Sequence, residues 1–307
     1  MFKWPGTPSP RAPEHELADF AELVCWRHRS TSTTALSADL GRLEENDYSA
    51  GVPEEDELAE VVEGAYLEIE RRQAACRGGY PYALGEHGYT LTLAVDDDNH
   101  RHVVYQYLLL ATRLNMSSNR VHAGIDGTLL LEELAADAAR EYLGHRAESL
   151  VFGTSAELSD FRGKVDRLCK RLREGGGFLN RDRAEPTQRD GKLDVVVWKP
   201  FADGNPGKLI AFGQCKTGTD YRDAVSQLQP DSFCKKWLHS SPVLTPVRMF
   251  FAAEALSRLR WHGTASDAGL LFDRCRIVDF CDDLTTDVVA KVKTWTEAAA
   301  ASTELPV

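Results

Sequence analysis

Apolar residues in segment 14–28 fall at Leu17, Phe20, Ala21, Val24 and Cys25, the spacing of one helical face. A shorter helix is expected over 35–43, after a Ser/Thr run. A third is expected over 56–76, with its acids crowded at the start, where the helix dipole is positive. Segment 89–95 alternates like a strand and leads into an Asp96-Asp97-Asp98-Asn99 turn. Segment 102–116 fits helix or strand by pattern, and its length favours helix. Beyond it, Asp126 can cap a helix reaching about Leu143. Segment 158–172 aligns Leu158, Phe161, Val165, Leu168, Cys169 and Leu172 on one face and ends at Gly175-Gly176-Gly177. Strands follow at 193–198 and 208–213, joined by a turn-rich stretch from Pro200 to Gly207. A helix over 221–229 restarts at Pro230 toward Leu238. Segments 247–252 and 275–280 read as strands and 287–300 as a closing helix. The sum is an α/β chain: a mixed β-sheet core flanked by helices over 121–307, preceded by a mainly helical region over 1–120.

Composition narrows the function classes. The 307 residues are 43% hydrophobic and 27% charged, as in ordinary globular proteins. No apolar run approaches the roughly 18 residues of a membrane span, and no secretory signal is expected from Met1–Pro5, which leads into no apolar stretch. No membrane partner is expected, and a reducing cytoplasm is the expected setting. Seven scattered cysteines without a CxxC pair argue against a disulfide framework and a zinc ribbon. The nine histidines form no HExxH. The net charge of −11 is uneven: residues 1–115 hold 20 acidic and 10 basic side chains, residues 160–240 hold 16 basic and 11 acidic. A phosphate-tracking surface belongs in the second half.

Two apolar strands carry the candidate chemistry. One begins with a carboxylate in Asp190-Gly191-Lys192-Leu193-Asp194-Val195-Val196-Val197-Trp198. The other ends in Gln214-Cys215-Lys216, where alternation puts Gln214 and Lys216 on one face and Cys215 on the other. If the strands pair as a hairpin, Asp194 approaches that face. Hard oxygen ligands of this kind hold Mg²⁺, and a lysine beside them can orient the attacking water and stabilise phosphoryl charge. One carboxylate binds Mg²⁺ weakly, so a second is required. Glu132 lies inside the apolar arc of its expected helix, where a carboxylate is costly unless paired or metal-bound, while Glu133 lies on the opposite side.

At Glu132, Asp194, Gln214 and Lys216 the chain resembles the PD-(D/E)xK nuclease superfamily, in particular Mrr-type restriction-endonuclease-like domains of bacterial phage-defence effectors. Those families carry a helix Glu, an Asp at a strand start and often Gln-x-Lys in place of (D/E)xK. The resemblance spans roughly Gly124–Phe280. It implies a restriction-endonuclease-like core, with Glu132, Asp194 and Gln214 as metal ligands and Lys216 as the fourth catalytic residue. It also implies Mg²⁺ (or Mn²⁺) as cofactor and DNA as substrate. Lys192-Leu193 stands where the family usually has Gly-Ile. A protein partner encoded nearby and a homo-oligomer are compatible with it, and the acidic N-terminal region is expected to be regulatory or partner-binding. The alternative is a catalytically silent nuclease-like fold serving as a binding or scaffolding subunit.

Each residue also has a plainer reading. Asp194 can be a strand-start residue, Lys216 a solvated edge lysine, Gln214 a cross-strand hydrogen bonder and Glu132 a helix acid paired with a base. Cys215 reads as a small core residue rather than a nucleophile. Lys164, Arg167 and Arg171, flanked by Lys170 and Arg173, form a basic stripe that can track phosphates or simply face solvent. Lys235, Lys236 and Trp237 can extend that surface. The triple glycine lacks the Lys-Ser/Thr of a P-loop and reads as a helix exit.

Overall fold

The computed structural model describes residues 1–44, 55–153, 160–181 and 192–306. The Asp190-Gly191 turn and the expected helix start at 158 lie outside them. In the first part, α1 (Glu14–His28), β1 (Ser30–Ser32), α2 (Thr33–Glu44), α3 (Glu55–Ala75), β2 (Tyr82–Leu84), β3 (Thr90–Leu93) and α4 (His100–Arg113) follow in order. Strands β1, β3 and β2 form a small antiparallel sheet. Helix α1 has Glu14 and Glu16 in its first turn and Arg27 and His28 in its last, charges suited to its dipole. It is not one-faced as its apolar spacing suggests. Every residue from His15 to Trp26 is buried, Glu16, Asp19 and Glu22 included. Helix α4 settles the ambiguous segment as helix, capped by the Asn99 side chain accepting from Arg101 N.

A hairpin of β4 (Val121–His122) and β5 (Ile125–Asp126) leads into α5 (Gly127–Leu143). The Asp126 carboxylate caps α5 as expected, accepting from Thr128 N at 2.9 Å. Then come β6 (Glu148–Val151), α6 (Phe161–Leu172), β7 (Val195–Lys199), β8 (Leu209–Lys216), α7 (Pro230–Trp237), β9 (Val247–Ala252), α8 (Trp261–Ala268), β10 (Leu270–Phe272), α9 (Arg274–Asp279) and α10 (Thr286–Ser302). The main sheet has the order β10-β9-β8-β7-β6. Strands β6, β7 and β8 pair antiparallel, and β8, β9 and β10 parallel. The fold is mixed α/β.

Strand alternation divides the sheet into two faces. Val195, Val197, Ala211, Met249 and Phe251 join a large apolar cluster with α1, α3, α4, α5, α9 and α10. This cluster draws on residues from both sides of position 120. Val196, Trp198, Ile210 and Phe212 turn to a second cluster with α6 and α7. There Phe161 meets Phe152, Phe233 and Trp237 edge-on.

Two expected elements are corrected. Segment 275–280 is not a strand but belongs to α9, because Asp273 caps it by accepting from Arg276 N at 3.1 Å. The strand is β10, just upstream. A short apolar run has no period long enough to separate the two states. The helix expected over 221–229 is a single 3₁₀ turn, Tyr221–Asp223. The true helix starts with Pro230 in its first turn, where a missing N–H removes no helical bond.

Candidate active site

Asp194 sits one residue before β7 and ties three strands together. Its amide donates to Gly213 O at 2.9 Å, and its carbonyl accepts from Phe152 N at 2.7 Å and Gly153 N at 3.1 Å. Its carboxylate Oδ2 accepts from Cys215 N at 2.8 Å. Backbone and side chain thus grip β8 on both sides of Gln214. Burial pushes this carboxyl up to about 6, against the Cys215 amide and the positive charges of Lys216 and Lys192, which pull it down.

Gln214 lies opposite Phe250 on β9 and is 2% exposed. Its Oε1 is buried with no hydrogen-bond partner among the described residues. An unsatisfied buried acceptor costs on the order of 1–3 kcal/mol. Lys216 ends β8, partly buried. Alternation turns Gln214 and Lys216 toward the face of Ile210 and Phe212, and Cys215 toward α5.

Glu132 comes from α5, on the Cys215 side of the sheet. Its carboxylate lies against Gly153: a Cβ there would sit 2.5 Å from Oε2 and 3.0 Å from Oε1. A side chain at this position would require the Glu132 carboxylate to move aside. The negative charges of Asp194 and Glu132 both raise the buried Cys215 thiol, after burial itself, and Lys216 lowers it. These three charged groups therefore share one end of the sheet. Glu132 nevertheless arrives from one layer, whereas Gln214 and Lys216 alternate to the other. Cys215 is held well above the ordinary thiol range, which keeps it as the thiol rather than the thiolate a nucleophile needs. Glu133 pairs with Lys291 of α10 at 2.8 Å.

The basic stripe divides. Lys164 is buried and donates to Gly153 O, so it does not track phosphates as the sequence allows. Lys170, Arg171 and Arg173 are exposed. Lys236 lies 5.3 Å from the Trp237 ring centre, and Lys235 pairs with Asp231 at 2.6 Å. Gly175-Gly176-Gly177 has φ of 92°, 70° and 98°, conformations that favour glycine, at the exit from α6.

Sequence reasoning missed Gly153, whose role appears only when α5 is laid against the end of β6. It also missed the buried ion cluster of α1. Asp19 accepts from Arg72 at 2.7 Å, Arg113 at 2.6 Å and Arg274 at 2.7 Å. Glu22 accepts from Arg72, Tyr80 and Tyr105, each at 2.8 Å. Acids at 16, 19 and 22 follow a helical spacing, but nothing local names their partners.

No group of three or more His, Cys, Asp or Glu suited to a metal occurs among the described residues. The donor set at hand is two carboxylates and one amide oxygen. The unpartnered Gln214 Oε1 and the neighbouring Asp194 carboxylate are oxygen donors of the kind a hard cation takes, whereas Glu132 lies in the other layer. No family model matches the chain, and no match is found among curated proteins or solved structures.

Proposed function

We propose that the chain is a metal-dependent nuclease of the PD-(D/E)xK kind, hydrolysing phosphodiester bonds of DNA. The observation that carries this reading is the Asp194 carboxylate gripping β8 around a buried, unpartnered Gln214 oxygen, two residues before Lys216. A mixed sheet with helices on both faces supports it. Asp194, Gln214 and Glu132 would hold Mg²⁺ or Mn²⁺. When bound, the ion supplies Lewis acidity at the phosphoryl oxygen and a more acidic water. Lys216 stabilises charge developing on the phosphoryl oxygens and orients the attacking water. Gly153 admits Glu132 to the sheet end, and the Cys215 amide fixes the Asp194 carboxylate. The acidic surface of the N-terminal helices would keep the enzyme off nonspecific DNA until a partner protein engages it, and bacterial anti-phage defence is the setting proposed.

One observation favours a second reading, a nuclease-like binding subunit without activity: Glu132 and the Gln214–Lys216 pair approach from opposite faces of the sheet. Plasmid incubated with purified full-length protein and Mg²⁺ or Mn²⁺ separates the two. Cleavage by wild type, lost in Lys216→Ala and Asp194→Asn proteins with unaltered folding, supports the enzyme. Equal inertness of all three, on DNA and RNA and with the products of adjacent genes added, supports the silent fold.

A further inference from the structure

A cavity of about 580 Å³ opens at the other end of the sheet from Asp194. Trp198, which lines it, lies four residues along β7 from Asp194, about 13 Å at strand rise. Lys208, also lining it, precedes β8, whereas Lys216 ends that strand, about 26 Å away by the same measure. The two places are therefore distinct.

Its walls are cationic and aromatic. Lys170, Arg171 and Arg173, all exposed, come from the last turn and exit of α6. Among the described residues Glu148 is the carboxylate lining the cavity, and it pairs with Arg171 at 3.2 Å. Lys208 is spent structurally, held by Glu174 at 3.0 Å and Leu172 O at 2.6 Å. A helix C-terminus carries only about half a negative charge. It does not account for three exposed cations facing one carboxylate among the described residues. The Arg171 guanidinium lies 5.5 Å from the Trp198 ring centre, which holds it at the cavity floor. Gly204 leaves room for the Arg173 guanidinium. Phe201, 59% exposed, stands on the rim with no cover. Cations that pair with phosphate oxygens, beside a bare aromatic face, are what a nucleotide needs from a protein.

We propose that this cavity binds a phosphate-bearing nucleotide, its phosphates on Lys170, Arg171 and Arg173 and its base against Phe201. The site goes beyond the proposed cleavage and does not depend on it.

The test is equilibrium binding to the full-length chain of three probes: ATP, inorganic phosphate and a short oligothymidylate. Lys170→Glu and Phe201→Ser change exposed side chains, and unaltered unfolding midpoints would show both variants folded. The expected result is saturable ATP binding, weakened about tenfold by each variant and unaffected by Asp194→Asn. Inorganic phosphate should be weaker, sensitive to Lys170→Glu and insensitive to Phe201→Ser. If the oligonucleotide alone binds with this variant pattern, the phosphates come from a nucleic-acid strand and the site stands. Absence of saturable binding by all three probes at millimolar concentration, or variants that bind as wild type does, would overturn it.

Discussion

Asp19 is fully buried and Asp194 partly so, and the surroundings of these two carboxylates treat them in opposite ways. Three guanidinium groups, from Arg72 on α3, Arg113 on α4 and Arg274 on α9, close on Asp19. Together they hold it well below the usual carboxylate range despite its burial. Asp194 receives one backbone amide and the more distant fields of Lys216 and Lys192, and burial prevails, raising it to about 6. Asp19 has used its charge to join three helices. Asp194 keeps a charge that its surroundings only partly compensate, next to an amide oxygen with no partner. A buried carboxylate whose charge is matched by guanidinium groups is a structural joint, and one whose charge is only partly matched is where a cation or substrate can act.

The largest effect should come from breaking the joint. Asp19→Asn leaves three buried guanidinium groups short of compensation and is expected to destabilise the fold by about 3–5 kcal/mol in urea unfolding. Asp194→Asn should act in the reverse sense. The folded pKa of Asp194 lies above its ordinary 3.8, so its contribution is fully present below that value and lost as pH rises through about 6. The asparagine variant should therefore gain, relative to wild type, on the order of 2 kcal/mol between pH 4 and pH 7. For Asp19 the sign is opposite, since its lowered pKa gives stability above the ordinary value that disappears on acidification. Equal pH dependence of wild type and Asp194→Asn would erase the contrast.

Gly153→Ala comes next. The added methyl would push the Glu132 carboxylate aside, so cleavage is expected to be impaired while stability changes by less than about 1 kcal/mol. A fully active, equally stable variant would show that Glu132 is not needed where it lies. Lys216→Ala should change stability least, within about 0.5 kcal/mol, while abolishing cleavage.

The parts of this contrast differed in how far the sequence disclosed them. Asp194, Gln214 and Lys216 were legible because strand alternation is local: two apolar runs with polar ends suffice to place them. Glu132 stood out because a helical wheel puts its carboxylate among apolar neighbours. The bounds of α1 and β9 followed from equally local periodicity. Arg72, Arg113 and Arg274 were not legible, since each sits in an ordinary helical sequence and meets Asp19 only through tertiary packing. The same holds for Lys164, which reads as one more cation on a basic stripe yet is turned inward to a carbonyl. Strands β6 and β10, four and three residues long, were missed because so few positions show no period.

The most direct measurement is unfolding stability with and without saturating Mn²⁺ or Mg²⁺ at neutral pH, for wild type, Asp194→Asn and Gln214→Ala. A cation held by Asp194 and the Gln214 oxygen stabilises the native state by mass action. Wild type should gain stability on adding the ion, Gln214→Ala less, and Asp194→Asn none. An equal response, or none, in all three proteins would contradict the account.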